Sequence, residues 1–225
     1  MARMARVVIP RLPHHVTQRG NRRQEVFFSD ADYRHYLDLL SHHTGQAGTE
    51  VWAYCLMPNH VHLMLVPSDE GGLQNALQEA HRRYTRQINR QKDWKGYLWQ
   101  GRFASCPLDE RHMLAAARYV ELNPVRAGLT RRAEDWPWSS ARAHLAGEDD
   151  GIVRVAPLLK AVPDWAAFLA QGLADADAAS LRGGERTGRP LGSESFLKDL
   201  EARTGRTLRK GRPGRKKIRR FNTGI

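Results

Sequence analysis

Two histidines, His60 and His62, stand two residues apart in Met57-Pro58-Asn59-His60-Val61-His62-Leu63-Met64-Leu65. On a β-strand, residues i and i+2 share a face. Both imidazoles would then point one way while Val61, Leu63 and Leu65 point into a core. Such a pair is a two-nitrogen clamp for a metal ion, and equally the pattern of two satisfied core histidines or of a zinc clip. Tyr119 and Asn123 bear on the choice, because they lie four apart and share one helical face. His60, His62 and the amide oxygen of Asn123 together would hold one divalent cation, with Tyr119 a turn away. A cation so held keeps positions open for phosphate oxygens, where it acts as Lewis acid and template. A tyrosine hydroxyl is a reasonable nucleophile there, since a covalent intermediate conserves the phosphodiester bond energy. The rival nucleophile is Tyr84, but the residue four beyond it is Ile88, which cannot ligate a metal. Glu121 is two residues from Tyr119, points elsewhere on the helix and is given no role.

The elements that must position these groups are legible from periodicity. Pro13 to Gln18 has strand character and ends in the turn-like Arg19-Gly20-Asn21-Arg22-Arg23. Ser29 or Asp30 caps a helix running to about Gly45, with Tyr33, Tyr36, Leu37 and Leu40 at helical spacing. Val51 to Met57 and His60 to Val66 read as strands joined by the two-residue break Pro58-Asn59, and so as a hairpin. A second helix spans about Leu73 to Arg90, with an apolar stripe at Leu73, Leu77, Ala80, Tyr84 and Ile88. A strand from Phe103 to Leu108 follows, then a third helix from Asp109 or Glu110 to about Leu122, stopped by Asn123-Pro124. The order β-α-β-β-α-β-α predicts an α+β fold of ferredoxin-like type, an antiparallel sheet with helices packed on one face. Beyond Gly128 the Trp136-Pro137-Trp138-Ser139-Ser140 segment and the stretch around Val153 to Leu169 read as wrapping helices and loops. The polar, small, Gly-rich stretch from Ala174 to Gly192 reads as a linker, and Ser193 as the cap of a helix ending at Thr204 with Gly205 as stop.

The 225 residues suffice for one core of about 150 residues plus an appendage. No apolar run approaches the roughly 20 residues needed to span a bilayer, and the basic N-terminus lacks the apolar region of a signal peptide, so the expectation is a cytoplasmic, nucleoid-associated protein. Cys55 and Cys106 lie in apolar segments without zinc-site or disulfide-scaffold spacing, and read as reduced core thiols. The net charge is +12, of which Arg203 to Arg220 carries +10 with no acid. A tail of this kind attracts polyanions by releasing their counterions. The candidate nucleic-acid contacts are Arg19, Arg22 and Arg23 in the first turn, Arg82, Arg83, Arg86 and Arg90 along the second helix, and Arg102 beside Phe103. In the tail they are Lys210, Arg212, Arg215, Lys216 and Lys217. Single strands and hairpins are held by such charges together with aromatic stacking; the alternative for each is a solvated charged surface.

Three segments together resemble a known family: Leu56-Met57-Pro58-Asn59-His60-Val61-His62-Leu63, Trp99-Gln100-Gly101-Arg102-Phe103, and Tyr119-Val120-Glu121-Leu122-Asn123-Pro124-Val125-Arg126-Ala127-Gly128. With His15-Val16-Thr17-Gln18-Arg19-Gly20-Asn21 and the Trp136 to Ser140 segment, they look like the single-tyrosine HUH transposases, in particular the REP-associated tyrosine transposases. The resemblance spans about Arg11 to Ala143. It implies an HUH domain over 1–145; composition, capping and charge add a wrapping segment and linker over 146–192 and a helix with a basic DNA-binding tail over 193–225. It also implies that His60, His62 and Asn123 ligate magnesium or manganese and that Tyr119 is the nucleophile. The implied substrate is single-stranded DNA folded into a palindromic hairpin, cut through a 5′-phosphotyrosine. Monomer and homodimer both stay open. Two rivals remain: a DNA-hairpin-binding regulatory protein that keeps the fold without cutting, and a metal-dependent hydrolase using an activated water, for which Tyr119 would be dispensable.

Overall fold

Four strands make a single sheet: β1 (His14–Arg19), β2 (Glu50–Met57), β3 (His60–Val66) and β4 (Ala104–Pro107). Their spatial order is β2-β3-β1-β4, and every neighbouring pair is antiparallel. The computed structural model describes residues 4–209. Pro58 and Asn59 close the β2–β3 hairpin as expected, with Met57 opposite His60 and Cys55 opposite His62. Alternation along each strand sends two residue sets to opposite faces. Val16, Tyr54, Leu56, Val61, Leu63 and Leu65 join one core cluster, and Ala53, Cys55, Met57, Met64 and Cys106 join another.

The first cluster is roofed by α1 (Asp30–Gln46) and α2 (Gly72–Lys92), whose apolar stripes bury Tyr36, Leu40, Leu73, Leu77, Tyr84 and Ile88. The fold is therefore the expected α+β sheet-and-helix architecture. Besides these two helices, the second face carries a layer of its own. There α3 (Glu110–Glu121) packs on the sheet, Asp109 capping it by accepting a hydrogen bond from the amide of His112 at 2.9 Å. The proline at 124 does not end helical structure outright. Leu122 breaks the regular run, and Asn123–Arg126 forms one further turn, α4, with Pro124 in its first turn, where a missing N–H costs nothing.

The following segments also fold against this second face. The backbone amide of Leu56 donates to the carbonyl of Trp138 at 2.8 Å, so the Trp136 to Ser140 stretch lies beside the edge strand β2. It leads into the short helices α5 (Ala141–Ala146), α6 (Ala156–Ala161) and α7 (Trp165–Ala170). The stretch expected as a linker is largely a helix, α8 (Asp175–Thr187), whose Ala178 and Leu181 are fully buried. Its glycines disguised it, and one of them is a packing device. A Cβ at Gly184 would come within 2.8 Å of the Cys106 sulfur, so only glycine lets α8 sit this close to β4. The last helix, α9 (Glu194–Thr204), is capped by Ser193 and stopped by Gly205 as the sequence predicts. It turns back onto the N-terminal segment, where Leu200 and Leu208 pack with Val7 and Ile9. Part of the basic run is thereby structural: Arg206 donates to the carbonyl of Arg6 at 3.0 Å, and Arg209 to Glu201 at 2.8 Å. Lys210, Arg212, Arg215, Lys216 and Lys217 lie outside the described residues.

Candidate active site

The register of β1 against β3 determines what surrounds the two histidines. Thr17 is opposite His62 and Arg19 opposite His60, so His15, Thr17 and Arg19 share the face that His60 and His62 occupy. The imidazoles of His60 and His62 are neighbours, with ring centroids 4.8 Å apart. His60 is half-buried at the hairpin end; its Nδ1 lies 2.6 Å from the Asn59 side-chain oxygen and 3.4 Å from the Arg19 guanidinium. Burial, reinforced by the Arg19 charge, lowers its pKa to about 3, so it is a neutral ligand-competent imidazole at ordinary pH. His62 is 1% exposed, and burial, His60, His15 and Arg19 all push its pKa down.

Tyr119 is brought to the same place by α3. Its ring meets His62 edge-on at 5.3 Å between centroids and His15 edge-on at 5.8 Å, while the Arg126 guanidinium from α4 lies over the ring, 5.2 Å from its centroid. Burial raises the phenol's pKa, the Glu185 charge adds to the rise, and Arg126, Arg182 and Arg19 oppose it. Tyr84 is core: it is fully buried between α2 and the segment after β1, and its hydroxyl donates to the carbonyl of Val26 at 2.6 Å. Asn123 opens α4 one turn beyond Tyr119, half-buried, with its backbone carbonyl accepting from Ala127.

Two site residues were not read from the sequence. His15 stacks on His62 with ring centroids 5.3 Å apart and planes 10° from parallel, and its Nε2 lies 3.1 Å from His62 Nδ1. Glu185 reaches in from α8, one carboxylate oxygen 3.8 Å from each of these two nitrogens. Burial raises its pKa to about 7 against the opposing pull of Arg19 and Arg182. The signal for His15 is present, since alternation through His15, Thr17 and Arg19 places it on the face of His60 and His62. Glu185 gave none, because its helix read as a linker. Among the described residues, His62 Nε2, His15 Nδ1 and one Glu185 oxygen are buried without a hydrogen-bond partner. Unpartnered buried donors and acceptors are uncommon in folded proteins. The nitrogens nearest Glu185, His15 Nε2 and His62 Nδ1, are the opposite ring atoms and lie within hydrogen-bond distance of each other; two neutral imidazoles and a carboxylate so gathered fit a divalent cation.

Of the candidate DNA contacts, Arg19 lies in the site, and Arg22 and Arg23 form an exposed turn beside it, both with positive φ. Arg82, Arg83, Arg86 and Arg90 line a groove on the outer face of α2, on the opposite side of the sheet from the histidines. Arg82 and Arg83 both donate to Glu79 there. Arg102 lines a cavity of ≈ 400 Å³ with Gln18, His81 and Trp99.

A family model described as "Transposase IS200 like" matches residues 9–123, which contain all of β1 to β4, α3 and the two histidines. A putative REP-associated tyrosine transposase of Haemophilus influenzae is 29% identical over 117 residues, covering 45% of this chain and 66% of the relative. A REP-associated tyrosine transposase of Escherichia coli K12 is 24% identical over 98 residues, covering 43% of this chain and 57% of the relative. The aligned region is thus less than two thirds of either relative's own length. Among solved structures, a REP-associated tyrosine transposase bound to a REP hairpin superposes with a TM-score of 0.56 at 20% identity, covering 69% of this chain and 90% of that one. No helix among the described residues is long and apolar enough to cross a membrane.

Proposed function

Because the chain belongs to the IS200-like transposase family, we propose that it is a metal-dependent endonuclease and strand transferase acting on single-stranded DNA beside palindromic hairpins. Tyr119 is its nucleophile. The observation that carries this reading is the seating of Tyr119 edge-on against His62 and His15, on the one sheet face that gathers the neutral imidazoles. A hydrolase that activates water has no need of a tyrosine there, and a protein that only binds DNA has no need of unpartnered imidazole nitrogens.

The chemistry divides among the residues as follows. The phenol oxygen of Tyr119 attacks the scissile phosphorus, forming a 5′-phosphotyrosine and freeing a 3′-hydroxyl; attack by another 3′-hydroxyl reverses the step and joins strands. The phenol must lose its proton to attack, and burial holds that proton on. Arg126, lying over the ring, favours the phenolate as DNA enters. Arg19 is placed to neutralise the phosphate backbone next to His60. The resemblance assigns His60, His62 and Asn123 as ligands of magnesium or manganese, and such an ion supplies Lewis-acid activation of the phosphate when bound. Imidazole ligands suit manganese better than magnesium, which prefers oxygen. The basic turn at Arg22 and Arg23, Arg102 and the groove along Arg82, Arg83 and Arg86 are proposed to track the hairpin and its flanks, and the tail from Lys210 to Lys217 to add affinity more than sequence preference.

The test is denaturing gel analysis of the protein incubated with manganese and 3′-labelled hairpin DNAs, wild type against Tyr119→Phe. A labelled protein band that the substitution abolishes is the expected outcome. Cleavage without an adduct in both proteins would establish an activated-water nuclease instead. Tight binding with no cleavage of any hairpin would favour the regulatory reading.

A further inference from the structure

Beside the implied ligands His60, His62 and Asn123, a second set of ligand atoms gathers around His62. His15 Nε2, His62 Nδ1 and a Glu185 oxygen form a triangle with sides of 3.1, 3.8 and 3.8 Å. A single ion at the centre of that triangle would reach all three corners at about 2.1 Å, the length of bonds from imidazole nitrogen and carboxylate oxygen to a first-row divalent cation. The three atoms belong to three elements, β1, β3 and α8, so the convergence is tertiary and not a local turn. Without an ion, the arrangement leaves the Glu185 oxygen buried and unpartnered. It holds that oxygen too far from either imidazole for a hydrogen bond.

We propose that the DNA-free protein holds a divalent transition-metal ion at His15, His62 and Glu185, with α8 supplying the anionic ligand from outside the region that the family model matches. This deepens the reading above and rests on it for the role of the ion in catalysis. His62 is common to this set and the implied one, so the ion sits at the mouth of the same catalytic face, beside Tyr119. Two imidazoles and one carboxylate leave coordination positions open for phosphate oxygens and water, as open catalytic sites do. One negative ligand also offsets part of the ion's charge where Asn123 would offset none. The set is that of manganese or zinc more than of magnesium. Gly184, immediately before Glu185, lets α8 lie against Cys106, which places the carboxylate deep enough to reach the histidines.

Calorimetric titration of the full chain, stripped with chelator and free of DNA, with Mn²⁺ measures this directly. Replacing Glu185 by Gln keeps the shape of the side chain and removes its charge. It is expected to weaken Mn²⁺ binding by about 10-fold or more, since removing even a group that only orients a ligand costs about that much. His15→Gln is expected to act in the same direction, with far-UV circular dichroism and the melting temperature of each variant showing that it remains folded. The visible spectrum of the Co²⁺-loaded protein gives a second readout, because band positions and intensity change when a carboxylate leaves the coordination sphere. Affinity and Co²⁺ spectrum of Glu185→Gln matching wild type, with Asn123→Ala or His60→Ala losing the ion instead, would overturn the proposal in favour of the implied ligands. The titration contains no DNA, so failure of the cleavage assay leaves its result standing. A formed phosphotyrosine adduct with unchanged Mn²⁺ affinity in Glu185→Gln would reject this inference alone.

Discussion

Two glutamates on the same side of the sheet, Glu121 on α3, fully buried, and Glu185 on α8, half-buried with one oxygen inside, each lie beside a histidine, yet they are built to opposite ends. Glu121 is 0% exposed, and its two carboxylate oxygens accept from Ser140 Oγ at 2.6 Å, His144 Nδ1 at 2.6 Å and Trp165 Nε1 at 2.7 Å. Every lone-pair direction that matters is filled, and the three donors come from segments that would otherwise be loosely attached: the Trp136 to Ser140 stretch, α5 and α7. Glu185 has an oxygen with no partner, and its nearest basic nitrogens stand 3.8 Å away. A buried carboxylate surrounded by donors is a structural clamp; one held short of its neighbours is waiting for something. Glu, His and Ser in proximity would suggest a hydrolytic triad at Glu121, but Ser140 is fully buried and shares its hydroxyl with the Tyr54 backbone, so no substrate reaches it. Satisfaction of the carboxylate's own hydrogen bonds, and not residue type, separates the clamp from the site.

The contrast is broken most severely at the clamp. Glu121→Ala leaves the Ser140, His144 and Trp165 donors buried without an acceptor. The expected loss is about 3–5 kcal/mol of stability, since removing one partner of a buried polar network costs the desolvation of those left behind. For a domain of this size that lowers the melting midpoint by on the order of 10 °C, which a thermal melt in chelator measures. A shift of only a degree or two would mean that the network is no more than a solvated surface cluster.

Substituting Glu185 should do the reverse when no ion is present. Burial raises this carboxyl from 4.5 to about 7, so the folded state holds the proton more tightly than the unfolded chain does. The stability this confers is fully present below pH 4.5 and is lost as pH rises through 7. Glu185→Gln does not titrate, so in chelator it should match wild type near pH 4.5 and exceed it by about 1–3 kcal/mol above pH 7. Comparing the two proteins removes the common background from the buried histidines, which acts in the opposite sense. His15, lowered to about 4, and His60, lowered to about 3, cost stability as pH falls below about 6.5. Urea midpoints for both proteins between pH 4.5 and 8 check this. A constant gap across the range would place the Glu185 carboxylate in water.

How much of this was written in the chain follows the same division. The hairpin of β2 and β3, the two helices over the first face and the Tyr119 helix are set by local signals: alternation, apolar stripes and the Pro58-Asn59 turn. They suffice to place His60, His62 and Tyr119 on one side of the sheet. The rest depends on tertiary contact. Glu121 lies two residues from Tyr119 and points elsewhere on the helix, and its three donors come from 19 to 44 residues downstream, where no periodicity links them. In α8, Gly183 and Gly184 weaken helix propensity, which makes the stretch read as a linker. The helix forms because Ala178 and Leu181 bury against α3 and β4, and packing overrides propensity. His15 lay in plain view in a strand but acquires its meaning only from a residue on α8.

The adjacent glycines of α8 allow the smallest and cleanest test of whether that packing places the carboxylate. Replacing glycine by alanine inside a helix gains about 0.5–1 kcal/mol from reduced freedom of the unfolded chain and better propensity. At Gly183 a Cβ meets nothing within 4 Å, so Gly183→Ala should stabilise the protein by that amount. At Gly184 the same Cβ would lie 2.8 Å from the Cys106 sulfur and 3.0 Å from Leu191, and Cys106 is fully buried on β4 with little room to retreat. Overpacking of a filled interior costs about 1–3 kcal/mol, which exceeds the gain, so Gly184→Ala should destabilise slightly, by about 1 kcal/mol net. The relief available to the chain is to move α8 away from the sheet, and that carries Glu185 away from His15 and His62. Mn²⁺ affinity should therefore fall in Gly184→Ala and hold in Gly183→Ala. Equal affinities in the two variants would mean that the seating of α8 on β4 does not position Glu185.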